Sequence, residues 1–389
     1  MVRVARIITR LNIGGPAIQA AMLSDRMRER GFETLLIYGR LAAAEGDMSY
    51  LLEGRHVQAA YLPSLVRSVS PLSDARAVAG ILRHLKAFQP QIVHTHTAKA
   101  GTVGRMAALA YNRTAATRAR TVHTYHGHSL EGYFRYAGAF ITIERLLARS
   151  TDQLIAISPR IATDLRDRYR IGRPDQWTVV PLGFDLAPLA AIDDPARDEA
   201  RRALGVDNST PVVTIVGRLT AIKQHELFLR VAHEVHARQP SAVFAIVGDG
   251  DRRAELEALA RRLGLERQAR FLGWRKDLAT VYGAADVCVL TSRNEGTPVA
   301  VIEALAAGVP VVSTDVGGVR DVINDPNLGA VVPDHDAQAL TGHVLAALSP
   351  TMRTAERIAA RRASATARYG FDRLVSDLAG LYQSLLSLG

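Results

Sequence analysis

Two carboxylates with seven residues between them mark the stretch Ser292 to Val312, SRNEGTPVAVIEALAAGVPVV. Glu295 sits in a polar loop after the apolar run DVCVLTS, and Glu303 is the sole ionisable group of VAVIEALAA. A buried carboxylate is unfavourable unless something pairs with it. Thr297 and Pro298 suit a helix start, and Gly308 followed by Pro310 suits its end, so a helix over 298–307 is expected. It is apolar on nearly every side and reads as buried. At such a start the N–H groups of Gly296, Thr297, Val299 and Ala300 are unpaired and carry partial positive charge, which suits a phosphate. Ionised carboxylates only accept hydrogen bonds, so ligand hydroxyls are their natural partners. A phosphate between two hydroxyl-rich groups describes a nucleotide sugar. The competing reading is that both glutamates pair with arginines and merely hold the loop.

The elements that must position these residues alternate strand and helix, which implies α/β layers with parallel sheets. VRVARIIT reads as a strand, followed by the glycine loop NIGGPA, an amphipathic helix and a second strand, ETLLIYG. QIVHTHT, ARTVHTYHGH and QLIAIS are further apolar runs that end in polar residues or histidines. Ligands gather beyond the carboxyl ends of parallel strands, so those histidines point to one crevice. After the Pro-, Ala- and charge-rich segment Asp185 to Pro211 the alternation restarts with PVVTIVGR, AVFAIVGDG, ARFLGW and DVCVLTS. The expected organisation is an N-terminal Rossmann-like domain over 1–185, a linker over 186–210 that could carry one short helix, and a C-terminal Rossmann-like domain over 211–370. A final helix within 371–389 could pack on either half.

Length and composition limit the alternatives. At 389 residues the chain suits two domains, and 48% hydrophobic with 22% charged residues is ordinary for a globular protein. The single cysteine, Cys288, lies in an apolar strand and reads as core filling in a reducing, cytoplasmic setting. No run reaches the roughly 18 apolar residues of a membrane span. Arg3, Arg6 and Arg10 interrupt the first apolar run, so no signal peptide is expected. The net charge of +10 favours anionic partners. No nucleic-acid module or aromatic-interleaved basic block accompanies it, so nucleic acid is discounted. Arg113, Arg118 and Arg120, or Arg160, Arg166, Arg168 and Arg170, could meet anionic membrane headgroups at the inner face of a membrane. A solvated helix face is the other reading of the same arginines.

Several motifs, in order, carry a family resemblance. They are Gly14-Gly15, His94-Thr95-His96, HGHSLEGYF from His126, and Pro181-Leu182-Gly183-Phe184-Asp185. GRL at Gly217 with Lys223, GDG at Gly248, FLGW at Phe271 and the Glu295/Glu303 pair complete the set. Jointly the chain resembles the retaining glycosyltransferases of the GT-B fold, two facing Rossmann-like domains with a deep interdomain cleft, and most closely glycosyltransferase family 4. The resemblance covers nearly the whole chain.

The resemblance implies specific roles. Arg218 and Lys223 would neutralise the donor diphosphate as the sugar departs. Glu295 would contact donor-sugar hydroxyls, with Gly296, Thr297, Pro298 and Val299 around it, and Glu303 would contact the nucleotide ribose. Main chain near Trp274 and Arg275 would border the base, and Gly15 would allow backbone to approach the donor phosphate. His126 is the first domain's candidate for reaching the transferred sugar, because neutral imidazole both donates and accepts. His96 and His128 are assigned to the acceptor side, while His94 and His123 are equally readable as strand-end residues. No carboxylate or cysteine accompanies these histidines at ligand spacing, so no metal and no cofactor are expected. Asp249-Gly250-Asp251 reads as a strand–helix turn. The implied activity is a cytoplasmic, metal-independent, retaining transfer from a nucleotide-diphosphate sugar, with UDP preferred over GDP. The acceptor would be a glycan or lipid-linked hydroxyl in envelope polysaccharide synthesis, or alternatively a small molecule. A UDP-sugar epimerase of the same architecture and a non-catalytic nucleotide-sugar sensor are the rivals. A nicotinamide dehydrogenase is disfavoured, because NIGGPA lacks the G-x-G-x-x-G spacing.

Overall fold

The apolar runs fold into two parallel sheets in a computed structural model that describes residues 1–12, 15–42, 45–126, 137–333 and 336–387. The first sheet comprises β1 (Val2–Arg10), β2 (Phe32–Gly39), β3 (Gln58–Leu62), β4 (Ile92–His96), β5 (Arg120–Tyr125), β6 (Gln153–Ala156) and β7 (Trp177–Val179). Its order is β3-β2-β1-β4-β5-β6-β7, with every neighbouring pair parallel. The second sheet comprises β8 (Val212–Val216), β9 (Val243–Val247), β10 (Ala269–Gly273), β11 (Val287–Leu290), β12 (Val311–Thr314) and β13 (Gly329–Val332). Its order is β10-β9-β8-β11-β12-β13, again parallel throughout. The strand order reverses between β1 and β4 in one sheet and between β8 and β11 in the other. Such switch points open a crevice at the strands' carboxyl ends, where doubly wound sheets bind ligands.

The two sheets belong to two compact units, Met1–Gly183 with Asp372–Gly389, and Phe184–Phe371. Helices cover both faces of the strands, as the nearly continuous burial of β4, β9, β11 and β12 requires. In the second unit one cluster gathers Val301, Ile302 and Leu305 under Cys288 and Val311, and another gathers Phe228, Phe244 and Ile246 on the opposite face. No helix among the described residues is long and apolar enough to cross a membrane.

The segment expected as a linker, 186–210, is instead two helices of the second unit, Ala187–Ala190 and Asp194–Ala203. Asp193 caps the longer one by accepting from Ala196 N at 2.9 Å. Its arginines do the docking. Arg197 donates to the carbonyls of Gly283 and Ala285 and to Asp286, and Arg201 donates to the carbonyl of Ala284. They satisfy carbonyls left free where helix Leu278–Ala284 ends. A charge-rich composition therefore marks an ordered, bonded surface here. The last helix, Phe371–Ser387, packs into the first unit from Asp372 onward. Arg373 donates to the carbonyls of Pro181 and Leu182, and Arg30 donates to Ser376.

Candidate active site

At the second switch point, the loops after β8 and β11 meet. Lys223 ends a short 3₁₀ turn after β8, and Glu295 lies in the loop after β11. The Lys223 ammonium meets Glu295 Oε1 at 2.5 Å, with both side chains largely buried. Ser292 Oγ donates to the same oxygen at 2.6 Å. Two donors on Oε1 fix the carboxylate, and Oε2 accepts nothing from a described residue. A carboxylate held in this way presents one free oxygen as a hydroxyl acceptor.

Backbone packing sets this loop's position. Ser292 is fully buried, and its carbonyl accepts from Thr314 Oγ1 at 2.8 Å at the end of β12. Gly318 N donates to Gly296 O at 3.2 Å. A Cβ on Gly317, whose φ is +52°, would lie 1.6 Å from the Glu295 carbonyl oxygen, and one on Gly318 would lie 2.5 Å from that of Gly296. Only glycine allows that approach. On the β8 side, a Cβ on Gly248 would lie 2.0 Å from Gly217 O, so the turns after β8 and β9 also pack main chain to main chain. Gly296 has open space around it.

The helix after this loop runs Val299–Ala306, and Pro298 is its N-cap. Thr297, expected to cap it, supplies no cap hydrogen bond; the first turn closes through Val301 N and Ile302 N onto the Pro298 carbonyl. The Gly317–Gly318 contacts with Glu295 and Gly296, rather than a side-chain cap, fasten the entry to this helix. Val299 and Ala300 remain at the start of the helix, where N–H groups point outward.

Glu303 is half-buried on the same helix and accepts from Tyr282 Oη at 3.0 Å. That hydroxyl also lies 3.2 Å from the Ala300 carbonyl. Burial pushes the Glu303 carboxyl up to about 7, with the tyrosine hydrogen bond opposing the rise. Among the described residues neither glutamate pairs with an arginine, and the side chain that fastens Glu295 is Lys223. Arg218 is exposed and makes no ion pair with a described residue. Trp274, after β10, is 61% exposed, and Arg275 is tied to Asp277 through Nε at 2.8 Å. In the Asp249-Gly250-Asp251 turn, Asp249 accepts from Gly250 N and from Arg253, and the next helix begins at Arg253.

The first unit brings its histidines to the ends of β4 and β5. His126 Nε2 lies 3.0 Å from His96 Nδ1, and the His96 ring lies 4.2 Å from that of His94. His94 in turn meets Tyr382 Oη at 2.5 Å and Thr124 Oγ1 at 2.7 Å. His123 faces Thr95 Oγ1 at 2.8 Å. Burial lowers all four: His126 falls to about 4, while His94, His96 and His123 lie well below the usual imidazole range. His96, expected on the acceptor side, is buried, and its described side-chain neighbours are His94 and His126. Gly15 begins the first helix with open space beside it. His128 and Gly14 lie outside the described residues. Among the described residues, no three His, Cys, Asp or Glu side chains gather to hold a metal ion.

Ser292, Tyr282 and Gly317 were not singled out by sequence. Ser292 alone left a trace, three residues before Glu295, where a short hydroxyl can reach back from the same loop. Tyr282 is 21 residues from its glutamate and leaves no local pattern.

Comparison with known proteins gives the family and the fold. A model described as Glycosyltransferase Family 4 matches residues 13–188, and one described as Glycosyl transferases group 1 matches residues 196–364. The UDP-Gal:alpha-D-GlcNAc-diphosphoundecaprenol alpha-1,3-galactosyltransferase of Escherichia coli is 30% identical over 72% of this chain and 72% of its own. The D-inositol 3-phosphate glycosyltransferase of Salinispora tropica is 30% identical over 95% of this chain and 80% of its own. Among solved structures, Anabaena HepE in complex with UDP superposes with a TM-score of 0.83 at 22% identity, covering 98% of this chain and 100% of that one.

Proposed function

The chain belongs to glycosyltransferase family 4, and on that premise we propose that it moves a sugar from a UDP-sugar to a lipid-linked or glycan hydroxyl in envelope polysaccharide synthesis, with retention of anomeric configuration and without a metal ion. The observation that carries this reading is the Glu295 carboxylate. It is held on one oxygen by Lys223 and Ser292 and free on the other, at the carboxyl ends of β8 and β11. The free oxygen accepts a hydroxyl of the donor sugar. Glu303, eight residues on, accepts from the ribose. Between them the outward N–H groups of Gly296, Thr297, Val299 and Ala300 take a phosphate, helped by Lys223 and the exposed Arg218. Trp274 and Arg275 border the base.

In the transfer, the bond from the anomeric carbon to the UDP oxygen breaks and a bond to the acceptor oxygen forms on the same face. The acceptor proton passes to the departing phosphate. Lys223 and Arg218 stabilise the negative charge that grows there. UDP is favoured over GDP because the E. coli relative is named for a UDP-sugar, and a diphosphate lipid acceptor is favoured for the same reason. Exposed Ile143 and Leu146, on a helix that also carries Arg145, fit peripheral contact with an anionic membrane at the cytoplasmic face. Of the arginine clusters read from sequence, Arg118 and Arg120 share Asp152 and contribute less.

A thermal-shift panel of UDP, GDP and ADP with their sugars tests the donor. Acceptor trials with polyprenyl-diphosphate sugars and inositol phosphates then test the acceptor. Glu295→Gln should lower turnover about a hundredfold with unchanged Tm; near-normal turnover would remove Glu295 from the site. Conversion of the UDP-sugar without any acceptor would identify an epimerase instead.

A further inference from the structure

The residue after Lys223 adopts a backbone conformation that its type disfavours. Gln224, between the 3₁₀ turn Ala221–Lys223 and the helix His225–Arg238, has φ +48° and ψ +47°. This is the left-handed region, which side chains other than asparagine and aspartate enter only at a cost. Right-handed backbone at this one residue would let the turn run on into the helix. The left-handed residue interrupts that run, and the Lys223 ammonium meets Glu295.

The interruption is held from the end of β11. Thr291, fully buried directly after that strand, donates its hydroxyl to the carbonyls of Lys223 at 2.9 Å and Gln224 at 3.1 Å. Arg293 N donates to the Ile222 carbonyl at 2.8 Å. In an uninterrupted helix the carbonyls of Ile222 and Lys223 would accept from Glu226 N and Leu227 N. Here Arg293 N and Thr291 Oγ1 take them, and Leu227 N turns to the Gln224 carbonyl at 2.9 Å. Between those two residues of the same loop, Ser292 donates to Glu295. Consecutive hydroxyl residues therefore hold both partners of the ion pair, Thr291 the backbone of Lys223 and Ser292 the carboxylate of Glu295.

We propose that Thr291 is a positioning residue for the donor diphosphate: its hydroxyl keeps Gln224 left-handed, and that conformation aims Lys223 at Glu295 and at the phosphate beside it. The inference rests on the assignment of Lys223 to the diphosphate. Every residue it uses belongs to the second unit.

Thr291→Val removes the hydroxyl at nearly constant shape. In a crystal structure of that variant φ at Gln224 should turn negative and Lys223 should leave Glu295. The Kd for UDP should rise at least fivefold and kcat should fall tenfold or more. The Kd for uridine, which lacks the diphosphate, should stay within twofold of wild type. Thr291→Ser should restore all of these. A double-mutant cycle supplies the readout that lost packing would not move. Glycine is at ease in left-handed backbone, so in a Gln224→Gly background the same Thr291→Val change should cost less than threefold in kcat. Should Thr291→Val not fold, Gln224→Val serves instead, because a β-branched residue resists the left-handed region. It should reproduce the loss of UDP affinity with Thr291 intact. With UDP affinity weakened in Lys223→Ala, unchanged UDP affinity in the valine variant would overturn the proposal. So would a left-handed Gln224 with Lys223 still on Glu295 in Thr291→Val, or an equal loss of kcat in both backgrounds. Wild-type UDP affinity in Lys223→Ala would instead overturn the assignment of Lys223, while φ at Gln224 in Thr291→Val still decides what Thr291 does.

Discussion

At Glu295 a single oxygen takes both the Lys223 ammonium and the Ser292 hydroxyl, and this division of the carboxylate turns an acidic residue into an aimed acceptor. Lysine supplies charge and serine supplies direction. Hydrogen bonds to charged groups contribute about 1.5–3 kcal/mol, so Ser292→Ala should lower kcat roughly tenfold while donor Kd moves little. An unchanged kcat would show that Lys223 suffices. Glu303 offers a second test. Its carboxyl sits at about 7, so only above that pH is it ionised and, under the proposed assignment to the ribose, a full acceptor. UDP affinity should therefore rise between pH 6 and 8 in calorimetry. Glu303→Gln should bind more weakly and without that rise; a pH-independent wild type would contradict the assignment.

Among the elements, loops rather than helices or strands carry the geometry. The turn after β12 presses Gly317 onto the Glu295 carbonyl, with a positive φ that other residues adopt only under strain. Gly317→Ala should cost about 1–3 kcal/mol of stability and displace the Glu295 loop. The expected readout is a lowered Tm together with at least tenfold weaker UDP binding. A variant with wild-type UDP affinity would show that the loop is held by other contacts. Helix 194–203 shows the same dependence on distant contacts. Its order comes from Arg197 and Arg201 meeting carbonyls some 85 residues away in sequence, a match that composition does not encode.

For the whole molecule, the buried titratable groups divide unevenly between the two units. Among the described residues the first contains four histidines held below their ordinary value. In the unfolded chain they take up protons near pH 6.5, and in the native state they do so only at lower pH. Between those limits the unfolded state binds more protons, so stability falls as pH falls below about 6.5. Glu303 acts oppositely: its native value of about 7 exceeds its unfolded one, so its contribution is present at low pH and is lost as pH rises through 7. Four groups outweigh one, and His225, lowered to about 4, adds to the majority. Tm should therefore drop on acidification from pH 7 to 5. A flat or rising Tm would show that the histidines become solvated before the protein unfolds.

The sequence by itself determined the alternation of apolar runs, and with it two parallel sheets, because strand burial on both faces is written in consecutive residues. It also determined the Glu295 and Glu303 pair, since both lie within one strand–loop–helix segment where spacing and position coincide. Only the tertiary structure decided what each polar group meets. Lys223 with Glu295 spans 72 residues, Tyr282 with Glu303 spans 21, and His94 with Tyr382 spans 288. Such pairings follow from strand order and helix docking, which set distances that local sequence does not contain. For that reason the contact of His96 with His126 was not legible in the sequence, and Arg6, read as an interruption in an apolar run, is a fully buried cation on β1.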